Sequence, residues 1–209
     1  MAIFPGSAIP SAISAYDIDN SLRFNDADSA YLSRTPTTAG NTKIWSLSFW
    51  RKQESGSNTE PIFTCGSYSG GLTSVYFSSG GNMVVSDYSG GFNVVIYSNG
   101  VYRDPSAWAH YLVVWNTTEA TSTDRVKIFK DGVSVVDASA STFPSEDFAG
   151  EINTTGLHMV GRDGSASSDY GRGYIAEMFF IDGTSLAASD FGELDSDTNQ
   201  WIPLDSDDV

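Results

Sequence analysis

The chain has 209 residues, which is long enough for one all-β domain to bury a core without a disulfide or a structural metal. Its 26 acidic residues outnumber 11 basic residues and give a net charge of −15, and no cluster of Lys and Arg offsets this charge locally. Such a surface repels phosphate backbones, so the composition disfavours nucleic-acid binding. The longest apolar run is far shorter than the roughly 18 residues of a membrane-spanning helix, so we expect no membrane insertion.

Residues 1–19 are predicted to form an extended N-terminal arm. The segment has no Lys or Arg before Arg23, and Pro5 and Pro10 interrupt its apolar residues, so it fits a cleaved signal sequence poorly. It is too apolar to stay in solvent alone and too interrupted to form a core element. We therefore expect the arm to attach to a neighbouring subunit through four apolar side chains: Ile3, Phe4, Ile9 and Ile13.

Period-two alternation dominates the chain after the arm. Trp45, Leu47 and Phe49 alternate with serines, which predicts a strand with one apolar face and one face in solvent. The segment 108–115 is apolar at consecutive positions, which predicts a strand that is covered on both faces.

A regular series of glycine turns follows in residues 66–100. Ser-Gly-Gly occurs at 69–71, 79–81 and 89–91, and Ser98-Asn99-Gly100 closes the series. Glycine supplies the positive φ that tight hairpin turns need, and the intervening segments are rich in Val, Tyr and Phe. The pattern predicts a β-meander with strands in three segments: 72–78, 82–88 and 92–97.

The second half of the chain predicts two more hairpins and one short helix. Asp-Gly pairs at 131–132 and 182–183 mark the hairpins, and residues 186–191 are predicted to form a short C-terminal helix. Many short strands with glycine turns predict an all-β fold, a two-sheet antiparallel β-sandwich of the jelly-roll type. We assign residues 20–195 to this sandwich and residues 196–209 to a solvated acidic tail.

The order of five motifs resembles concanavalin A-like domains of the laminin-G-like and pentraxin-like kinds. In this order the motifs are typical of the fold, and they extend over about residues 20–192. The resemblance implies a concanavalin A-like sandwich. The motifs lie at 21–25, 45–50, 108–114, 125–132 and 173–180.

A narrower resemblance involves residues 24–36, 180–183 and 190–193. These segments are similar to laminin-G-like proteins encoded by tailed phages of aquatic bacteria, which are generally regarded as virion components. The resemblance implies a non-catalytic virion module, a tail fibre or a capsid decoration, made in the host cytoplasm. It also implies contacts with other virion proteins and a homo-oligomer. This step is an analogy, since a fold does not fix a function.

The alternative function is a carbohydrate-binding, lectin-like domain that is not tied to a virus, and the two functions are compatible on one particle. Tyrosines in or near the predicted turns could stack on the apolar face of a surface glycan. The same tyrosines could instead cover the sheet edges, because Tyr favours strands. The candidate ligand-binding residues are Tyr68, Tyr88, Tyr102 and Tyr170.

Calcium is the one cofactor that the sequence suggests. Asp163 and Asp169 bracket a loop rich in serine, and carboxylates with hydroxyls suit the oxygen coordination of calcium. The resemblance adds that laminin-G-like and pentraxin-like relatives often hold calcium at a sandwich rim. The competing interpretation is that Asp and Ser simply form turns.

Glycan hydrolysis is the least favoured function. It needs two carboxylates that flank the scissile bond. The related β-glucanases carry these acids on one strand in the order Glu-x-Asp-x-x-Glu, a run that this chain lacks. The nearest approach is Glu177 with Asp182, and we therefore predict that the chain is not an enzyme. His110 and His158 lie in strand-like runs and are expected to be packed imidazoles rather than catalytic groups.

Overall fold

The computed structural model describes residues 16–54, 58–164, 169–205 and 207. Within these residues the first eight strands are β1 Leu22–Phe24, β2 Leu32–Arg34, β3 Ile44–Lys52, β4 Glu60–Ser67, β5 Gly71–Phe77, β6 Met83–Tyr88, β7 Phe92–Ser98 and β8 Trp108–Asn116. The remaining strands are β9 Val126–Lys130, β10 Val133–Ser134, β11 Val136–Thr142, β12 His158–Val160, β13 Gly173–Asp182, β14 Gly192–Leu194 and β15 Trp201–Pro203. Three single 3-10 turns complete the structure: Asp26–Asp28, Ser122–Asp124 and Ala188–Asp190.

Two large antiparallel sheets form a sandwich, which confirms the predicted fold class. The six-stranded sheet has the order β1-β13-β3-β8-β9-β10, and the seven-stranded sheet has the order β11-β7-β6-β5-β4-β12-β2. A small third sheet pairs β14 with β15. The C-terminal helix predicted at 186–191 is only the 3-10 turn Ala188–Asp190, because Ala187 before it is extended.

The main core lies between the two large sheets. Trp45 and Trp115 come from neighbouring strands of the six-stranded sheet and stack with their ring centroids 5.4 Å apart. Val75, Val85 and other fully buried residues of the seven-stranded sheet complete this core. The alternation predicted from the sequence therefore points the large aromatic side chains inward.

The predicted meander is confirmed, because β5, β6 and β7 follow one another as antiparallel neighbours. Gly71, Gly81 and Gly90 adopt positive φ angles in or beside its turns. This local run fixes the centre of the seven-stranded sheet, whereas β11, β12 and β2 are contributed from distant parts of the chain.

The strand around residue 45 differs from the prediction, because neither of its faces is in solvent. Ser46 and Ser48 are completely buried. The Ser46 hydroxyl donates to the carbonyl oxygen of Thr184 and accepts from the amide of Leu186, each at 2.9 Å. Ser48 hydrogen-bonds to Nε2 of His110 at 2.8 Å. The second face is buried because the C-terminal segment packs against it.

The C-terminal segment builds a second, smaller core on the outer face of the six-stranded sheet. Leu112 and Val114 of β8 pack there with Phe191, and Trp201 packs against this cluster. Trp201 also stacks on His110 at 5.9 Å. The boundary that we predicted at residue 195 falls inside the β14–β15 hairpin, so residues 201–203 belong to the fold rather than to a solvated tail.

The predicted attachment residues Ile3, Phe4, Ile9 and Ile13 lie outside the described residues. The described chain starts at Tyr16, whose hydroxyl donates to Glu177 on β13. No described helix has the length and apolarity required to cross a membrane.

Candidate functional site

A pocket of about 150 Å³ opens on the outer face of the seven-stranded sheet. Alternation along β5 creates its floor, since Thr73, Val75 and Phe77 are buried and alternate with residues of the opposite face, including Ser74 and Tyr76. The chain around Gly164 lies across this face, because a Cβ atom at Gly164 would stand 3.2 Å from the Leu72 side chain. We call this site the tyrosine pocket.

Three aromatic rings form one wall of the tyrosine pocket. Tyr68 follows β4, Tyr88 ends β6 and Phe92 begins β7, so glycine turns bring them side by side. The ring centroids are 5.0 Å apart for Tyr68 and Tyr88 and 5.2 Å apart for Tyr88 and Phe92, both in edge-to-face geometry. Tyr68 is 47% exposed and Phe92 is 58% exposed, so the wall presents apolar ring surface to solvent.

Hydroxyl groups line the floor of the pocket. Ser74 is only 5% exposed, and its hydroxyl has no hydrogen-bond partner among the described residues. A buried polar atom without a partner is costly, so this hydroxyl calls for a water or ligand partner. Thr64 is already engaged, because its hydroxyl donates to the carbonyl oxygen of Arg162 at 2.8 Å. Burial raises the pKa of Tyr76 to about 12, so this phenol stays protonated at neutral pH.

Two carboxylates complete the pocket. Asp163 and Asp169 both line it, and the Asp163 amide donates to the carbonyl oxygen of Asp169 at 3.0 Å, which ties the two ends of the loop together. None of the described lining residues is Lys or Arg. The nearby Arg162 places its guanidinium over the rings of Tyr31 and Tyr170, at 4.8 and 5.5 Å from their centroids.

The described residues do not assemble the calcium site suggested by Asp163 and Asp169. Calcium takes roughly six to eight oxygen ligands, commonly including several carboxylates. No group of three or more His, Cys, Asp or Glu gathers in the described parts of the chain. Residues 165–168 between the two aspartates lie outside those parts. Calcium binding by these two aspartates therefore stays a prediction.

The structure separates the four candidate tyrosines. Tyr68 and Tyr88 line the tyrosine pocket together with Asp163 and Asp169. Tyr170 pairs with Arg162 in an isolated bridge and packs 6.2 Å from Tyr31, beside the pocket rather than in its lining. Tyr102 lines a different pocket and packs edge-on against Tyr111 at 5.6 Å.

Ser74, Tyr76 and Phe92 were not among the residues predicted from the sequence to bind a ligand. Their signal was present in the alternation, because Ser74 and Tyr76 occupy alternate positions of β5, opposite to the buried Thr73 and Val75. What the sequence could not show is that Asp163 and Asp169, which are distant along the chain, line the pocket on this face.

The acids and histidines considered for catalysis serve structural contacts. Glu177 sits in a β-bulge with a φ of 43° and accepts the hydroxyl of Tyr16. Asp182 accepts from the amide of Asn41 at 2.8 Å and from Nδ2 of Asn153 at 2.6 Å.

Both histidines occupy packed positions. Burial lowers the pKa of His110 to about 4. Burial also lowers the pKa of His158, which packs on Phe63 at 5.7 Å. Neither imidazole lines the tyrosine pocket.

Comparison with known proteins places this geometry in a family. The model of the concanavalin A-like lectin/glucanases superfamily matches residues 25–189. The chain belongs to this superfamily. This membership agrees with the two-sheet sandwich and with the laminin-G-like resemblance of its motifs. A search of curated protein sequences finds no match.

Similar solved structures support the superfamily fold. Domains LG4-5 of the mouse laminin α1 chain align with a TM-score of 0.50 and 12% identity, over 84% of this chain and 42% of that one. Domain 4 of a GH43 extracellular arabinanase from Geobacillus stearothermophilus, in complex with arabinotriose, aligns with a TM-score of 0.50 and 16% identity, over 72% of this chain and 64% of that one. This chain thus spans less than two thirds of each of these two solved chains, and at these identities the alignments show the fold alone.

Proposed function

We propose that this chain is a carbohydrate-binding module and that the tyrosine pocket holds the sugar. The observation that carries the proposal is the wall of edge-to-face rings, Tyr68, Tyr88 and Phe92, beside the buried and unpartnered hydroxyl of Ser74. Binding pockets commonly combine apolar and aromatic walls with a few polar groups that fix orientation. Superfamily membership and a neighbour solved with arabinotriose agree with this class of ligand.

The chemistry of the pocket suits a pyranose or furanose ring. The C–H face of a sugar is apolar and packs on aromatic rings, which lose little conformational entropy on binding because they are already held by one another. The Ser74 hydroxyl can donate to or accept from a sugar hydroxyl. The protonated phenol of Tyr76 is a further donor, and the two aspartates accept.

The proposed activity is binding without turnover. Glu177 and Asp182, the acids with the closest approach to a glycanase pattern, hold structural hydrogen bonds and do not line the tyrosine pocket. We therefore expect a bound polysaccharide to be recovered intact. Release of shorter products from it, assayed by chromatography, would show an enzyme and contradict this part of the proposal.

The test of binding compares Tyr88→Ala with Tyr174→Ala on immobilised polysaccharides that include arabinan, glucans, galactans and sialylated glycans. Loss of the central ring should weaken binding by about tenfold, which corresponds to about 1.4 kcal/mol. Tyr174 is a matched control because it is an exposed tyrosine on the other sheet. Equal losses in both variants, or no binding by the wild type to any polysaccharide, would overturn the proposal.

We also propose, from the sequence resemblance to phage proteins, that the module is carried on a virus particle as a fibre or capsid decoration. The apolar arm supplies the attachment, through Ile3, Phe4, Ile9 and Ile13 to other virion proteins or to copies of this chain. Deleting residues 1–15 should leave the unfolding transition unchanged but prevent incorporation into particles, as measured by immunoblotting of purified virions. Particles that still contain the shortened chain would contradict the arm hypothesis.

A further inference from the structure

The size of the tyrosine pocket limits what it can enclose. Its volume is about 150 Å³. Sites that enclose drug-sized ligands typically measure about 300–1,000 Å³. The pocket is therefore suited to a single sugar unit, and any further units of a chain would extend along the exposed rings of Tyr68 and Phe92.

The charge of the pocket limits the chemistry of that unit. Asp163 and Asp169 are the charged groups among its described lining residues, and both are acids. The nearest guanidinium, that of Arg162, is stacked over Tyr31 and Tyr170. The whole chain adds a net charge of −15. A carboxylate on the ligand would be repelled by both aspartates, and no Lys or Arg among the described lining residues would offset that repulsion.

The uncharged groups of the pocket match an uncharged ligand. Ser74 is more than nine-tenths buried, and its hydroxyl lacks a protein partner in the described chain. This hydroxyl can either donate a hydrogen bond to a ligand hydroxyl or accept one from it. Two aspartate carboxylates accept hydrogen bonds, so they favour a ligand rich in hydroxyl donors. Sugar hydroxyls can bond to the Ser74 hydroxyl and donate to the two aspartates. A sugar carboxylate only accepts hydrogen bonds, so it cannot bond to the aspartate carboxylates, which are acceptors as well.

We infer that the tyrosine pocket selects a single uncharged sugar unit and discriminates against acidic sugars such as uronic and sialic acids. This inference rests on the proposed function, since it specifies the ligand of the same pocket. The discrimination comes from Asp163 and Asp169, and the binding energy comes from the aromatic wall. Removing the two charges should therefore change the selectivity without abolishing binding.

The experiment measures binding of matched pairs of methyl glycosides that differ only at C6, namely glucoside with glucuronide, galactoside with galacturonide and mannoside with mannuronide. Lactose with sialyllactose is a further pair. Ligand-observed NMR titration gives the dissociation constants. We expect the neutral member of each pair that binds to be at least about tenfold tighter in wild type, a difference of about 1.4 kcal/mol. Raising the salt concentration should narrow this gap by screening the aspartates.

Two double variants isolate the cause of the selectivity. Asp163→Asn with Asp169→Asn should bring the two members of a pair to within about threefold, or about 0.7 kcal/mol. Glu193→Gln with Asp207→Asn removes the same charge from exposed positions of the C-terminal segment and should leave the gap unchanged. The unfolding transition of each variant verifies its fold, and the salt titration of wild type tests the charge effect without any variant.

Four results would overturn the inference. If the acidic member of each pair binds as tightly as the neutral member, the pocket lacks the inferred selectivity. An equal narrowing of the gap in both double variants would assign the selectivity to the net charge of the molecule instead of the pocket. If the wild type binds no member of any pair, this inference fails, and the proposed function fails with it only if the wild type also binds none of the polysaccharides. Binding of the acidic members alone would leave sugar binding intact and reject only the inference.

Discussion

His110 shows what burial does to a single titratable residue. Its ring lies 5.4 Å from Trp50 and 5.9 Å from Trp201, so indole rings from β3 and from the C-terminal hairpin enclose it. Nε2 bonds to the Ser48 hydroxyl at 2.8 Å. Burial disfavours the charged imidazolium and lowers the pKa to about 4, although the nearby Asp131 opposes this shift.

The depressed pKa of His110 predicts a loss of stability in mild acid. The unfolded chain binds a proton at His110 below pH about 6.5, whereas the folded protein binds it only below pH about 4, so protonation favours unfolding between these values. We expect the free energy of unfolding of wild type to fall by about 3 kcal/mol, relative to that of His110→Phe, from pH 7 to pH 4. Urea denaturation at both pH values measures it. An unchanged difference would show that the imidazole is accessible to protons in the folded state.

A second residue-scale feature is the ion pair between Arg51 and Glu60. Both side chains are almost fully buried, and the Arg51 guanidinium lies 3.9 Å above the ring of Phe77. Burial raises the pKa of Glu60, and the adjacent Arg51 opposes that shift. This pair could not be predicted from the sequence, because Arg51 and Glu60 belong to different sheets that only the folded chain brings face to face.

At the scale of elements, the β14–β15 hairpin is the part for which the prediction from sequence was wrong. The acids of residues 195–208 predicted a solvated tail. Trp201 carried the contrary signal, since a large aromatic residue is seldom left in solvent. It packs against the Asp131-Gly132 turn so closely that a Cβ atom at Gly132 would lie 2.4 Å from its ring.

Trp201 therefore predicts a stability effect for a region that was assigned to the tail. Trp201→Ala should lower the free energy of unfolding by about 2–3 kcal/mol, less than the roughly 3–5 kcal/mol of a fully buried tryptophan, because the ring is only partly covered. Leu194→Ala is the control on the same hairpin, since Leu194 is 59% exposed and its truncation should be nearly neutral. Chemical denaturation compares the two. Equal stability of Trp201→Ala and wild type would mean that the hairpin adds nothing to the core.

Elements that depend on local chemistry were predictable, and those that depend on distant pairing were not. The meander β5–β7 could be predicted from its Ser-Gly-Gly turns, because each strand pairs with the next. The pairing of β12 with both β2 and β4 has no local signature. The tyrosine pocket follows the same division: Tyr68 and Tyr88 were recognisable beside their turns, but only the fold brings the distant Asp163 and Asp169 to them.

At the scale of the whole molecule, the few basic residues are unevenly distributed. The chain has only 11 basic residues, and several of them stabilise the fold: Arg51 in its buried pair, Arg125 by donating to three backbone carbonyls, and Arg172 by bonding to Asp26. The tyrosine pocket receives none of them in its described lining. The overall acidity was evident from composition, but only the fold shows that no Lys or Arg belongs to the described lining of this pocket.

The pairing of β1 with β13 has a consequence for how the molecule assembles in time. Leu22 lies opposite Ile175, so almost the whole domain separates the two partners along the chain. Closing such a long loop is slow, and proteins dominated by distant contacts fold in milliseconds to seconds rather than microseconds, roughly a thousandfold slower. The meander can collapse while a ribosome is still adding residues, whereas β1 must wait for β13 to be synthesised. During that interval the first strand is available to any chaperone or neighbouring nascent chain.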